Sequence, residues 1–399
     1  MIVVVGGGAA GLMAAIAAAG TRHDVLVLER TAEGGKKILI SGGGRCNVLP
    51  SQLALEQFVT DSAPQLMRGM LRSWPLAAQR AFFEDDLRVP LALEAETGKL
   101  FPVSNRARDI HHALFERARA LNVTFQFNTS LTGLTPVPPG WVVHTSHGPR
   151  SASRVVLATG GLSVPATGSD GTGLALAESL GHRVNPVYPA LTPLIAAPAV
   201  HASLSGISLA ARVRAREGSK ITESTGGFLF THRGYSGPSV LDVSHVTRRN
   251  RDTVIRVQWT ATTAPEWEQL FRGDGGRRAL ISTVLATRLP QRLAFQLMDE
   301  AGVPLKRRAG ELRRGERIGL IERLTSYPLP VSGDEGFKKA EVTGGGVALE
   351  EVDARTLESK RHRGLFLCGE MLDAFGPIGG HNFAWAWATG RLAGLGASR

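Results

Sequence analysis

The first twenty residues constrain this chain more than any others. MIVVVGGGAAGLMAAIAAAG reads as an apolar strand, a glycine turn and an alanine-rich helix. A strand without polar alternation is one buried on both faces, as in a parallel sheet. Gly6, Gly8 and Gly11 match G-x-G-x-x-G, with Ala9 and Ala10 between the last two. The first glycine allows the turn, the second lets a pyrophosphate approach the backbone, and the third lets helix and strand pack closely. VLVLER follows as a second buried strand, ending in Glu29 and Arg30, with Glu29 eighteen residues beyond Gly11. An acid at about that distance bonds a ribose hydroxyl. Strand, turn, helix and acid together predict a dinucleotide-binding α/β domain.

The rest of the chain selects the dinucleotide. Residues 123–158 read as a three-stranded meander that returns to an apolar strand ending at Thr159, Gly160 and Gly161. This is the layout of FAD domains of the glutathione-reductase type. GLFLCGEMLD is a further buried strand with Gly369, Glu370 and Asp373 at its end, where an acid is expected to meet the ribitol or pyrophosphate. A last helix opens at Gly379, Gly380, His381, Asn382 and Phe383. Its N-terminal amides favour negative charge on a flavin. Both ends of the chain therefore build one FAD site, and the middle is inserted. The expected architecture is a Rossmann-type FAD domain over residues 1–187 and 341–399. A β-barrel-like substrate domain is nested within it over 188–260 and 326–340, and a small helical insert over 261–325.

The chain also resembles a family of bacterial FAD-dependent oxidoreductases that includes aminoacetone oxidases, bile-acid ene reductases and the dihydrouridine synthase of large-subunit ribosomal RNA. The resemblance rests on GGGAAG (6–11), GKKILISGGGRCN (35–47), KLFPVSNRA (99–107), ATGGLSVPATGSDGTG (158–173), FTHRGYSGPSVLDVS (230–244), KAEVTGGGV (339–347) and ESKRHRGLFLCGEMLDAFGPIGGHNFAWAW (358–387). Where that family commonly carries Tyr and V-D-G, this chain has His381 and Ala374-Phe375-Gly376.

SGGGRCN, Ser41 to Asn47, resembles the family's flavin-contacting loop, in which Gly42, Gly43 and Gly44 let the backbone lie along the isoalloxazine. Lys37 and Arg45 are candidate partners of the pyrophosphate or of a substrate anion. Cys46 reads as a packing residue under the cofactor, because no C-x-x-C exists and Cys368 lies on a buried strand. His381, with Asn382 beside it, is a candidate general acid for reducing an alkene. Tyr235 is a candidate to face substrate.

Net charge is +11, which favours acidic partners, nucleic acid first. Residues 248–323 hold sixteen basic residues against nine acidic ones, and this stretch is the expected contact for ribosomal RNA. Two cysteines exclude a disulfide framework, no stretch is long enough for a bilayer, and His, Cys and carboxylates do not fall at metal-ligand spacing. His111-His112 reads as an exposed helix start, and the protein is expected to be cytoplasmic. Three functions fit. The first is a reductase of a C=C bond, possibly uracil in ribosomal RNA, fed transiently by NAD(P)H. The second is an oxygen-dependent oxidase of a small amine. The third is an FAD-containing RNA-binding protein without turnover.

Overall fold

The apolar runs at both ends of the chain join in one parallel sheet. In this computed structural model, which describes residues 1–218, 220–250, 252–272 and 278–399, strands β1 (Ile2–Val5), β2 (Val25–Leu28), β3 (Thr124–Gln126), β4 (Arg154–Leu157) and β5 (Leu365–Leu367) stand in the order β5-β4-β1-β2-β3. Val5 pairs with Leu157 on one side and Leu28 on the other. Every residue of β1 and β2 is buried, as their unbroken apolar runs demand. The chain moves outward from β1 in both directions, so a switch-point crevice opens at the C-terminal ends of β1 and β4.

Two helices lie against one another beside this sheet, α1 (Ala9–Ala19) and α2 (His381–Ala397). A Cβ on Gly390 would lie 2.3 Å from the Ala10 carbonyl oxygen, and one on Gly394 2.2 Å from that of Ala14. The backbones therefore touch, and this contact fixes where α2 begins. The side strands Leu131–Val137, Gly140–Thr145 and Arg150–Ala152 form the expected three-stranded sheet. One local expectation is corrected: His111 lies inside the Ala107–Ala120 helix, buried against Phe115 with ring centroids 4.6 Å apart.

Met1–Pro189 with Ala340–Arg399 form one compact unit, and Ala190–Lys339 form a second. The second unit is built on a seven-stranded sheet whose longest members, Ser208–Glu217 and Lys220–Phe230, make a hairpin. The helices Ala264–Arg272, Ile281–Ala286, Gln291–Glu300 and Arg314–Thr325 share its core: Val213, Phe228 and Val257 of the strands pack in one cluster with Trp267, Leu285, Leu297 and Leu320 of the helices. Pro290 separates two of those helices, as its missing N–H requires.

Within this core His201 Nδ1 lies 2.8 Å from the Tyr235 hydroxyl, while its Nε2 lies 3.1 Å from both the Tyr327 hydroxyl and Glu300 Oε1. Burial pushes both phenols up. Tyr235 belongs to this network, and the expectation that it faces substrate is corrected.

The basic stretch is also less free than its composition implies. Arg248 pairs with Asp334, Arg249 with Glu217, Arg272 and Arg317 with Glu268, and Arg307 with Glu316. Arg251 and Arg277 lie outside the described residues. Among the described residues no helix is long and apolar enough to cross a membrane, and no cluster of metal ligands is present.

Candidate functional site

A cavity of about 460 Å³ occupies the switch point, within the size range of cofactor sites. Its floor is the turn after β1. Gly6 sits at φ +104°, and a Cβ there would lie 2.4 Å from the Ala158 carbonyl oxygen. At Gly11 a Cβ would lie 1.8 Å from the Gly6 carbonyl oxygen. Gly8 differs: nothing of the protein lies within 4 Å of where its Cβ would be. That position opens onto the cavity, beside the amides that begin α1.

Glu29 closes one side. Its carboxylate accepts from Gly7 N (2.7 Å), Thr31 N (2.7 Å) and the Thr31 hydroxyl (2.7 Å), and it is 6% exposed. These bonds aim a satisfied carboxylate at the cavity and leave lone pairs for a ribose hydroxyl. Next to it in the chain, Arg30 is ion-paired to Asp170 and donates to the Gly168 carbonyl (3.3 Å). Thr159, after the end of β4, reaches the wall, while its Oγ1 is buried against Gly173, where an added Cβ would lie 1.9 Å from it.

The other end is built from the glycine loops. Gly42 and Gly43 break the Lys36–Gly44 segment with left-handed backbone (φ +56° and +67°), a conformation that favours glycine. Oriented to satisfy both of its amide groups, the Asn47 side chain accepts from Gly380 N (3.0 Å) and donates to the Leu49 carbonyl (3.3 Å). Asn47 thereby ties the loop to the start of α2. Lys37 Nζ donates to Glu370 Oε2 (2.5 Å) and Ser163 Oγ (2.6 Å), and Glu370 Oε1 accepts from Thr343 N (3.0 Å). Ile40, Ala374, Phe375, Ile378 and Phe383 supply apolar wall.

Of the residues expected from the sequence, the cavity brings together Gly6, Gly8, Ala9, Ala10, Glu29, Arg30, Lys37, Ser41, Gly42, Gly43, Asn47, Thr159, Gly160, Gly369, Glu370, Gly379, Gly380, Asn382 and Phe383. Gly11, Gly44, Arg45, Cys46, Gly161, Asp373 and His381 do not line it. Arg45 pairs with Glu94 (3.1 Å) and lies over the Phe101 ring, 4.0 Å from its centroid. Asp373 Oδ2 accepts from Asp61 N (3.0 Å), Ser62 N (2.9 Å), the Ser62 hydroxyl (2.8 Å) and Asn185 (2.7 Å). It organises a loop, and burial raises its pKa.

His381 is buried, accepts from Ala54 N at Nε2 (3.3 Å), and is pushed down to about 4 by that burial. Near neutral pH it is uncharged. Asn382 reaches the wall, but its amide bonds Gly376 N (2.9 Å) and the Gly376 carbonyl (2.9 Å). Burial pushes the Cys46 thiol up to about 12 and the Cys368 thiol higher still, so neither is a thiolate at neutral pH.

Sequence reasoning missed Lys36 and Lys99, which line the cavity, and the segment from Val164 to Thr172. The glycines of GSDG (168–171) were the available signal for that segment, since Gly168 and Gly171 both have left-handed backbone.

The chain matches the family model described as HI0933-like protein Rossmann domain over residues 1–396. It belongs to that family. It is 32% identical over 405 residues to the 3-dehydro-bile acid delta(4,6)-reductase of Clostridium scindens, covering 99% of this chain and 98% of the relative. It is 30% identical over 394 residues to the ribosomal RNA dihydrouridine synthase of Escherichia coli, covering 97% and 95%. Among solved structures, the 3-ketosteroid delta1-dehydrogenase of Sterolibacterium denitrificans aligns with a TM-score of 0.52 at 13% identity, covering 100% of this chain and 99% of that one. The 3-ketosteroid-delta4-(5alpha)-dehydrogenase of Rhodococcus jostii RHA1 aligns with a TM-score of 0.50 at 17% identity, covering 100% and 96%. At such identities the structural likeness speaks for the fold alone. The HI0933-like chain described here is a flavin-dependent oxidoreductase, and FAD is its cofactor. The residues present fit that group: the open position at Gly8, the Glu29 carboxylate on the wall and the left-handed glycines leave a partly polar cradle.

Proposed function

We propose that this protein is an NAD(P)H-fed, FAD-dependent reductase of a carbon–carbon double bond, with uracil in ribosomal RNA as one substrate class it fits. The observation that carries the reading is the pair of near full-length relatives. A delta(4,6)-reductase and a dihydrouridine synthase are both named for saturating a C=C bond. The chemistry of the cysteines supports direct transfer: both are buried and held as thiols, so no dithiol relay stands between cofactor and substrate. The chain carries no second G-x-G-x-x-G unit for a nicotinamide, and the donor therefore binds transiently. A cytoplasmic setting, where NAD(P)H is available, belongs to the same proposal.

The chemistry that FAD supplies when bound is two-electron transfer between donor and acceptor. The protein's part is to hold it. On this reading the α1 amides beside Gly8 take the pyrophosphate, where backbone N–H groups and helix dipole meet negative charge. Glu29 takes a ribose hydroxyl. Gly42, Gly43, Gly379 and Gly380 would hold the flavin ring. Lys37, neutralised by Glu370, orients that acid without adding net charge. Residues 1–187 and 341–399 carry the cofactor, and 188–340 serve the substrate.

Anaerobic mixing of the holoprotein with NADH or NADPH tests the donor half. The yellow absorbance should bleach rapidly with at least one of them. Bleaching by aminoacetone but by neither nucleotide would turn the assignment to an amine oxidase.

A further inference from the structure

We propose that the exposed face of the sheet in the Ala190–Lys339 unit is a docking surface for the phosphate backbone of an RNA strand. This rests on the RNA form of the function proposed above. The surface lies on the Ser208–Glu217 strand, which precedes the basic stretch flagged by composition.

On that strand Val213 and Ala215 are buried, while Arg212, Arg214 and Arg216 are exposed. Alternate residues of a strand share one face, spaced by about 6.6–6.8 Å, so the three arginines leave the strand on the same side, one after another. Register extends the patch sideways. Arg214 stands directly opposite Arg256 on one neighbouring strand and Glu223 on the other, and Arg212 stands opposite Gln258 and Thr225. Arg256 is exposed too, and its Nη1 donates to the Ser326 carbonyl (3.1 Å).

Four arginines thus share this face with a single acid at their paired positions. Glu223 serves two of them, contacting Arg212 (3.5 Å) and Arg214. Like charges directly opposite across a sheet are destabilising, so the fold bears a cost that a bound polyanion offsets.

Arginines at regularly spaced strand positions match a ligand with repeated anionic groups, and each guanidinium can hold a phosphate bidentately. Thr225 and Gln258 add neutral hydrogen bonding beside the row. No aromatic side chain occupies the paired positions around it. The surface therefore fits phosphates rather than bases, and such contacts position an RNA without reading its sequence.

The test uses the FAD-loaded full chain and a fluorescein-labelled oligouridylate, with binding followed by anisotropy over a salt series. Arg212→Gln, Arg214→Gln and Arg216→Gln together should weaken binding roughly tenfold or more. They should also make the log–log salt slope shallower by about 2, at ~0.7 per lost phosphate contact. The control replaces Arg68, Arg72 and Arg117 with Gln, three exposed arginines of the other unit. It removes the same charge and should change affinity by less than about threefold. FAD content and melting temperature report folding of each variant. If the triple variant fails to fold, Arg212→Gln and Arg216→Gln singly should each lower the slope by about 0.7.

The proposal is overturned if wild type does not bind the oligouridylate, if the row can be removed without loss, or if the control loses as much. It is equally overturned if the row governs binding to phosphatidylglycerol vesicles and not to RNA. Dihydrouridine formation separates the two readings. Row-dependent binding without any dihydrouridine in ribosomal RNA leaves the surface standing and removes the function. Undiminished dihydrouridine formation by the triple variant does the reverse.

Discussion

Gly6, Gly8 and Gly11 are glycines for different physical reasons, and the difference can be measured. Gly6 and Gly11 are closed in by the protein's own backbone, whereas Gly8 faces open space. Gly8→Val should therefore fold with a melting temperature close to that of the apo wild type, yet purify without FAD. Gly11→Val should fail to fold, because its branched side chain meets the Gly6 carbonyl. A Gly8→Val protein carrying a full complement of FAD would contradict the assignment of this cavity. The spacing of these glycines was legible because each has a backbone task. The directions of Arg45, Asp373 and His381 were not. Sequence puts all three beside glycine loops of the cavity, but each turns away, to the Phe101 ring, to the loop at 60–62 and to Ala54 N.

Among elements, the contact of α1 with α2 fixes where the glycines that open α2 stand on the cavity wall. Alanines on one helix and Gly390 and Gly394 on the other let the two backbones approach. Gly394→Leu should cost roughly 2–3 kcal/mol by overpacking. The loss should appear as a lower denaturation midpoint of the apo protein and weaker FAD retention together. An unchanged midpoint would show that the helices can part without cost. The strands and end helices were readable from apolar runs and glycine punctuation. The loop from Val164 to Thr172 was harder, because its role comes from left-handed turns and a long-range ion pair, Arg30 with Asp170, and not from periodicity. In the second unit, periodicity gave the helices but could not show that they share one core with the strands, a matter of tertiary packing.

At the scale of the molecule, buried histidines couple stability to pH. Burial lowers His381 from 6.5 to about 4 in one unit and His245 from 6.5 to about 3 in the other. Each is held neutral in the folded state, so the unfolded chain takes up protons first as pH falls. Their contribution is complete above pH 6.5 and is lost progressively toward pH 4 and 3. By pH 5 the loss is on the order of 2 kcal/mol for each. The melting temperature should therefore fall between pH 7 and pH 5, and His381→Gln should flatten the part of that slope belonging to the FAD-binding unit. A melting temperature that rises over this interval would contradict the placement of these rings.

The central claim is that the switch-point cavity holds FAD and that this cofactor passes electrons to a C=C bond. The most direct measurement follows the acceptor. The holoprotein is reduced anaerobically with one equivalent of NADH or NADPH, then mixed with ribosomal RNA or with a conjugated steroid dienone. The account predicts that the yellow colour returns without oxygen and that mass spectrometry finds two added atoms of hydrogen across one double bond of the acceptor. Return of colour only on admitting oxygen, with peroxide formed and both acceptors unchanged, would contradict it.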